Sequence, residues 1–148
     1  MTIFEAIILA IVEGLTEFLP VSSTGHMIVA SSLMGIHQQE FTKLFEVAVQ
    51  FGTILSVVVL YWKKFFDFSR LDFYLKLIVA VLPALALGFL LGDYIDALLE
   101  SPTTVAVMLI IGGVFFLFID KLFTRPAIHH EPEISYKKGF IVGFWQCI

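Results

Sequence analysis

The chain has 148 residues, of which 59% are hydrophobic and only 15% charged, with a formal net charge of −4. Soluble domains carry about 45–50% apolar and about a quarter charged residues, so this composition excludes a surface wholly clothed by water and makes residues 1–148 one integral membrane domain. The acidic balance offers no basic patch for nucleic acid, and a single cysteine, Cys147, excludes an internal disulfide framework and a cysteine-based metal site.

Residues 1–35 fit no simple membrane span. Their apolar runs, 7–12 and 27–33, are each far shorter than the about 17–25 residues that a hydrocarbon core demands. The segment is not a signal peptide either, because no Lys or Arg precedes Lys43 and the acids Glu5, Glu13 and Glu17 interrupt the apolar run. Short apolar stretches around polar backbone predict a re-entrant or broken helix pair, tolerated at membrane depth only inside protein or beside a water-filled cavity. Such breaks mark binding sites in transporters.

Three runs long enough, or nearly so, to span follow at 44–62, at 73–92 with Pro83 and Gly88 inside it, and at 103–119. A polar loop at 123–133 holds His129 and His130, which read as solvated. A further apolar run begins at Gly139. None shows the two-residue alternation of barrel strands, so the chain is expected to be an all-α, polytopic transmembrane bundle. Tyr61, Trp62, Phe65 and Phe66 read as an interfacial aromatic belt.

Eight of the nine Lys and Arg residues cluster at two turns. Lys63, Lys64, Arg70 and Lys76 flank one, and Lys121, Arg125, Lys137 and Lys138 the other. The turn between them, 93–102, is expected to carry only Asp93, Asp96 and Glu100. The positive-inside rule makes the basic turns cytoplasmic. Leu44 then starts on the outer side.

The chemistry concentrates at residues 13–26, EGLTEFLPVSSTGH. Glu13 and Glu17, four apart, share one helix face. Their mutual repulsion, stronger at low dielectric, calls for a cation or a shared proton between them. Mg²⁺ or Ca²⁺, hard ions with oxygen ligands, suits both the carboxylates and a diphosphate. A proton relay or a structural hydrogen bond is the plainer role for such acids. Pro20 ends that helix. Ser22, Ser23 and Thr24 then precede a new apolar run, where a hydroxyl reads as an N-cap and where the free N–H groups of a helix start bind phosphate. Gly25 allows close backbone approach. His26 can move a proton near neutral pH or attack phosphorus itself. Phosphoryl transfer needs these parts; the missing one is an arginine. Further on, Glu46, Gln50 and Thr53 share a helix face, lining the same cavity or joining helices.

Residues 13–26 match the pattern E-G-x-T-E-F-x-P-V-S-S-x-G-H, and residues 45–53, FEVAVQFGT, match F-E-x-x-x-Q-x-G-[ST/A]. On both, the chain resembles the undecaprenyl-diphosphate phosphatases, or bacitracin-resistance proteins, with the likeness running over the whole length. The resemblance implies removal of the terminal phosphate of undecaprenyl diphosphate, recycling the lipid carrier of cell-wall synthesis, in a metal-dependent enzyme of the bacterial plasma membrane. It implies Glu13 and Glu17 at the metal and diphosphate, and Ser23 as nucleophile, with His26 as its proton partner or as the nucleophile itself. Ser22, Thr24, Gly25 and Gln50 would contact substrate. It also implies two inverted repeats, each with a re-entrant pair. Residues 143–148 look like the opening of the family's second motif, whose arginine would lie beyond them. The 148 residues are therefore expected to be the first repeat plus the start of the second, inactive alone. The site should open outward, toward a polyprenyl diphosphate in the outer leaflet. A transporter or lipid flippase using the same acidic pocket is the rival reading, and the sequence leaves the oligomeric state, a homo-oligomer included, open.

Overall fold

A computed structural model describes residues 1–66, 71–122 and 135–146 of the chain. All regular structure among them is helical. The polar loop 123–133, Arg70, the Lys121 side chain, Arg125 and Cys147 lie outside the described residues. The helices are α1 (Ile3–Thr16), α2 (Ser23–Leu33), α3 (Glu40–Leu60), α4 (Trp62–Phe65), α5 (Leu71–Leu99), α6 (Pro102–Leu122) and α7 (Tyr136–Trp145). They fall into two compact units, Met1–Phe65 with Leu98–Thr124, and Phe66–Ala97 with Arg125–Ile148.

In the first unit, α1 packs on α2 and α3, and α2 packs on α3 and α6. At 1.5 Å per residue, α1 and α2 reach about 21 Å and about 16 Å, short of a hydrocarbon core of about 30 Å. They form the expected short pair. α1 opens on a capping box, in which Thr2 accepts from the Glu5 amide and Glu5 accepts from the Thr2 amide, satisfying two donors that a helix start leaves unpaired. α2 closes on a Schellman motif. Gly35, at φ +72°, donates to the Ser32 carbonyl, and Ile36 donates to the Ser31 carbonyl. The left-handed backbone there suits glycine, and the turn tucks Ile36 into a small core with Leu9 and Met27.

α3 and α5 are long and apolar enough to cross a membrane, and α6 is apolar over Pro102–Phe118. Val59, Phe89 and Leu117 are fully outward on these helices, at 72%, 91% and 74% exposure. Large apolar side chains at such exposure suit lipid as solvent. α6 begins with Pro102 at its first position, where the missing N–H costs nothing, and Ser101 Oγ accepts from the Thr104 amide.

The expected acidic turn at 93–102 is shorter than the charge pattern indicates. α5 continues through Asp93 and Asp96 to Leu99, so only Glu100 and Ser101 separate it from α6. No proline or glycine interrupts 93–99, and two acids among strong helix formers do not stop a helix.

In the second unit, α7 lies against α5. Tyr136 donates to Asp72 at 2.6 Å, Asp72 pairs with Lys76, and the Lys76 ammonium stands 5.6 Å from the Tyr136 ring centre. Gly139 and Gly143, one helical turn apart, face this contact. A Cβ at Gly139 would sit 3.4 Å from the Lys76 carbonyl oxygen, and one at Gly143 would run into the Ala80 backbone. This is the small-residue spacing that lets membrane helices approach closely. Gly143→Ala is expected to destabilise the full-length protein by about 1–3 kcal/mol through overpacking, and Gly139→Ala by less. Thermal unfolding in detergent checks this; equal melting temperatures for Gly143→Ala and the parent would contradict it.

Candidate active site

All residues of the site lie in the first unit, where α1, α2 and α3 meet. α1 ends at Thr16, and Glu17 follows as its C-cap, in helical backbone with its N–H donating to the Glu13 carbonyl at 2.9 Å. The helix thus stops one residue before Glu17 and four before Pro20, yet the two acids keep their common side. Glu13 is fully buried, and Glu17 is half-buried.

The chain then reverses over 17–22 and re-enters helix at Ser23. The N-cap Ser22 has φ +57°, a region that costs a non-glycine residue on the order of 1–3 kcal/mol. Its Oγ accepts from the Gly25 amide at 3.3 Å. Its carbonyl accepts from the His26 amide and from His26 Nδ1 at 2.9 Å. A carbonyl can only accept, so Nδ1 carries the imidazole proton and Nε2 holds the free lone pair. Ser23 and Thr24 begin the helix, where amide groups have no partner within the helix.

This strained reversal brings Ser23 back onto α1. Its hydroxyl donates to Glu17 Oε2, and Glu13 is close enough to interact with both. The hydrogen-bond partner of the Ser23 hydroxyl is therefore Glu17. Among the described residues, no hydrogen bond joins Ser23 to His26; the resemblance had implied that pairing. Ser23 is 8% exposed, whereas Ser22 and Thr24 lie open and His26 is half-buried.

α3 closes the third side. Gln50 Nε2 donates to Thr24 Oγ1 at 2.7 Å. Thr53 Oγ1 lies 3.1 Å from Glu13 Oε1 and 2.8 Å from the Gln50 carbonyl. The shared face of Glu46, Gln50 and Thr53 thus splits. Gln50 and Thr53 reach the site, while Glu46 lies by Ser31 and His37 in a second buried polar group. His37 was not picked out from the sequence, where a lone histidine after a glycine turn carries no pattern.

Gly25 has a packing reason as well. A Cβ there would sit 3.0 Å from a methyl group of Leu109 on α6. An apolar cavity of about 440 Å³, lined by Val12, Val29, Leu33, Leu109 and Ile110, reaches His26 beside this contact.

The second oxygen of Glu13, Oε2, is buried and has no hydrogen-bond partner among the described residues. A buried, unpaired carboxylate oxygen is costly and is what a hard cation would satisfy. Among the described residues, no three Asp, Glu, His or Cys side chains gather as a metal cage. Two carboxylates fit Mg²⁺, which keeps several waters and completes its shell with substrate phosphate, better than they fit Ca²⁺ with its six to eight oxygens.

The family described as bacitracin resistance protein BacA matches residues 6–148. An undecaprenyl-diphosphatase of Flavobacterium psychrophilum is 58% identical over 148 residues, all of this chain and 55% of that protein. One of Porphyromonas gingivalis is 51% identical over 164 residues, and one of Clostridium tetani 40% identical over 158, in each case all of this chain and 58% of the relative. The chain spans a little over half the length of the curated relatives it matches.

Proposed function

This chain belongs to the bacitracin resistance protein BacA family, and on that premise we propose that the whole protein hydrolyses undecaprenyl diphosphate to undecaprenyl phosphate and inorganic phosphate. The observation that carries the proposal is the Ser23 hydroxyl donating to Glu17 beside the buried, half-satisfied Glu13. A nucleophile already bonded to its base is what phosphoryl transfer requires. A transport site has no use for it.

In this reading the diphosphate lies across the start of α2, where the Ser23 and Thr24 amides and the positive end of the helix meet phosphate oxygens. Glu13 Oε2 and Glu17 would hold a divalent ion, best Mg²⁺, which when bound neutralises charge on the phosphates. Ser23 Oγ attacks the terminal phosphorus. Glu17 takes the serine proton, and the P–O bond to the lipid phosphate breaks. Water then cleaves the phosphoserine, with His26 Nε2 placed by its Nδ1 bond to accept a proton from that water, while Glu17 returns its proton to the departing Ser23 oxygen and inorganic phosphate leaves. The apolar cavity beside His26 suits the first isoprene units of the lipid. The strained Ser22 backbone is the cost of aiming Ser23 at Glu17.

The full-length protein in detergent should release inorganic phosphate from undecaprenyl diphosphate and none from undecaprenyl phosphate. Equal release from both would reject the assignment. We place the protein as multi-pass in the bacterial plasma membrane with this site on the outer side, because the positive-inside rule makes the basic segment that follows α3, with Lys63 and Lys64, cytoplasmic, and a membrane-crossing α3 then starts on the outer side. Gln38, exposed in that turn, tests it. A Gln38→Cys variant of the full-length protein should react with a membrane-impermeant maleimide added to spheroplasts. Reaction only after the cells are broken would put the site on the cytoplasmic side.

A further inference from the structure

Thr53 stands 40 residues from Glu13 in sequence, and its hydroxyl is the protein donor placed against Glu13 Oε1, at 3.1 Å. A threonine within a helix ordinarily returns its single proton to a carbonyl three or four residues back. That alternative is present here in the Gln50 carbonyl, at 2.8 Å. One proton therefore faces two acceptors, and the carboxylate is the stronger of them once ionised. The consequence falls on the other oxygen. With Oε1 facing Thr53, Oε2 is left buried and without a hydrogen-bond partner among the described residues, in a carboxylate that lies beside Glu17 and Ser23.

We infer that Thr53 is a positioning residue, whose hydroxyl fixes the Glu13 carboxylate so that Oε2 is the oxygen presented to a divalent cation. The inference rests on the proposed function for the identity of the cation site, and it adds a residue from α3 to the machinery of α1 and α2. Without the hydroxyl, Glu13 is free to turn, and its affinity for the ion falls by about the worth of one hydrogen bond to a charged group. Chemistry at a saturated site changes little, because the Thr53 hydroxyl bonds to Glu13 and the Gln50 carbonyl and not, among the described residues, to Ser23.

The test compares Thr53→Val, similar in shape and without a donor, with Thr53→Ser, which keeps the hydroxyl, in the full-length protein in detergent. Mn²⁺ binding is followed directly by loss of the free-ion paramagnetic resonance signal. The Mg²⁺ concentration for half-maximal phosphate release and the kcat at saturating Mg²⁺ are measured alongside. Thr53→Val should weaken Mn²⁺ binding and raise the half-maximal Mg²⁺ by about tenfold, with kcat at saturation within about twofold. Thr53→Ser should restore both constants. Unchanged Mn²⁺ binding in Thr53→Val, or a fall in kcat alone, would overturn the inference while leaving the phosphatase reading in place. If the parent protein itself binds no Mn²⁺, the cation site falls, and Thr53's role with it. Thr53→Ala, which adds no bulk, repeats the measurement where valine fails to pack. If neither variant folds, Thr53 is only a tether between helices and the inference is wrong.

Discussion

Ser23→Ala should lower phosphate release from a polyprenyl diphosphate by about 1,000-fold or more, a loss of about 4 kcal/mol of transition-state stabilisation. The side chain is nearly buried, at 8% exposure, and its one polar atom is committed to Glu17. Alanine is close in volume and is a good helix former at the first position of α2. The fold should therefore survive, and Mn²⁺ binding should persist, because Glu13 and Glu17 remain. Loss of turnover with retained metal binding and an unchanged melting temperature would mark Ser23 as the nucleophile. Activity within about tenfold of the parent would shift the attack to His26, whose Nε2 lone pair is left free by the Nδ1 contact to Ser22.

Glu17→Gln should be as damaging, by about 10²–10⁴-fold, but with a different signature. The amide can still sit beside Ser23, yet it cannot take its proton, and it offers a far poorer ligand to a hard cation. Turnover and metal response should fall together. Glu17→Gln also removes one of two neighbouring negative charges. The buried Glu13 beside it is thereby relieved of repulsion, so the folded protein should be no less stable than the parent to thermal unfolding. A strong loss of stability would instead make Glu17 a structural acid whose main task is to hold the reversal at 17–22.

Much of the site was legible because it is local. Residues 13–26 carry two acids at helical spacing, a proline, three hydroxyls, a glycine and a histidine, and α1 and α2 form around them as the apolar runs indicate. What was not legible depends on the turn. The pairing of Ser23 with Glu17 arises because Ser22 adopts φ +57° and folds α2 back on α1, and serine's propensity gives no notice of that conformation. The role of Thr53 depends on how α3 lies against α1, which a helix face alone does not reveal. Gln50 could be foreseen at the site, but its partner Thr24 could not. The glycines Gly139 and Gly143 have a reason only once Ala80 is seen beside them. The end of α5 at Leu99 is not legible in the charges, because Asp93 and Asp96 mark a polar segment and not a break in helical backbone.

The most direct measurement is phosphate release from undecaprenyl diphosphate by the full-length protein, with Mg²⁺, with chelator, and with the Glu17→Gln variant in parallel. The account predicts release that needs the metal, is abolished by chelator and restored by added Mg²⁺, and is lost in Glu17→Gln although the variant remains folded. Release that persists in chelator, or in folded Glu17→Gln at the parent's rate, would contradict a reacting centre built on Glu13, Glu17 and Ser23.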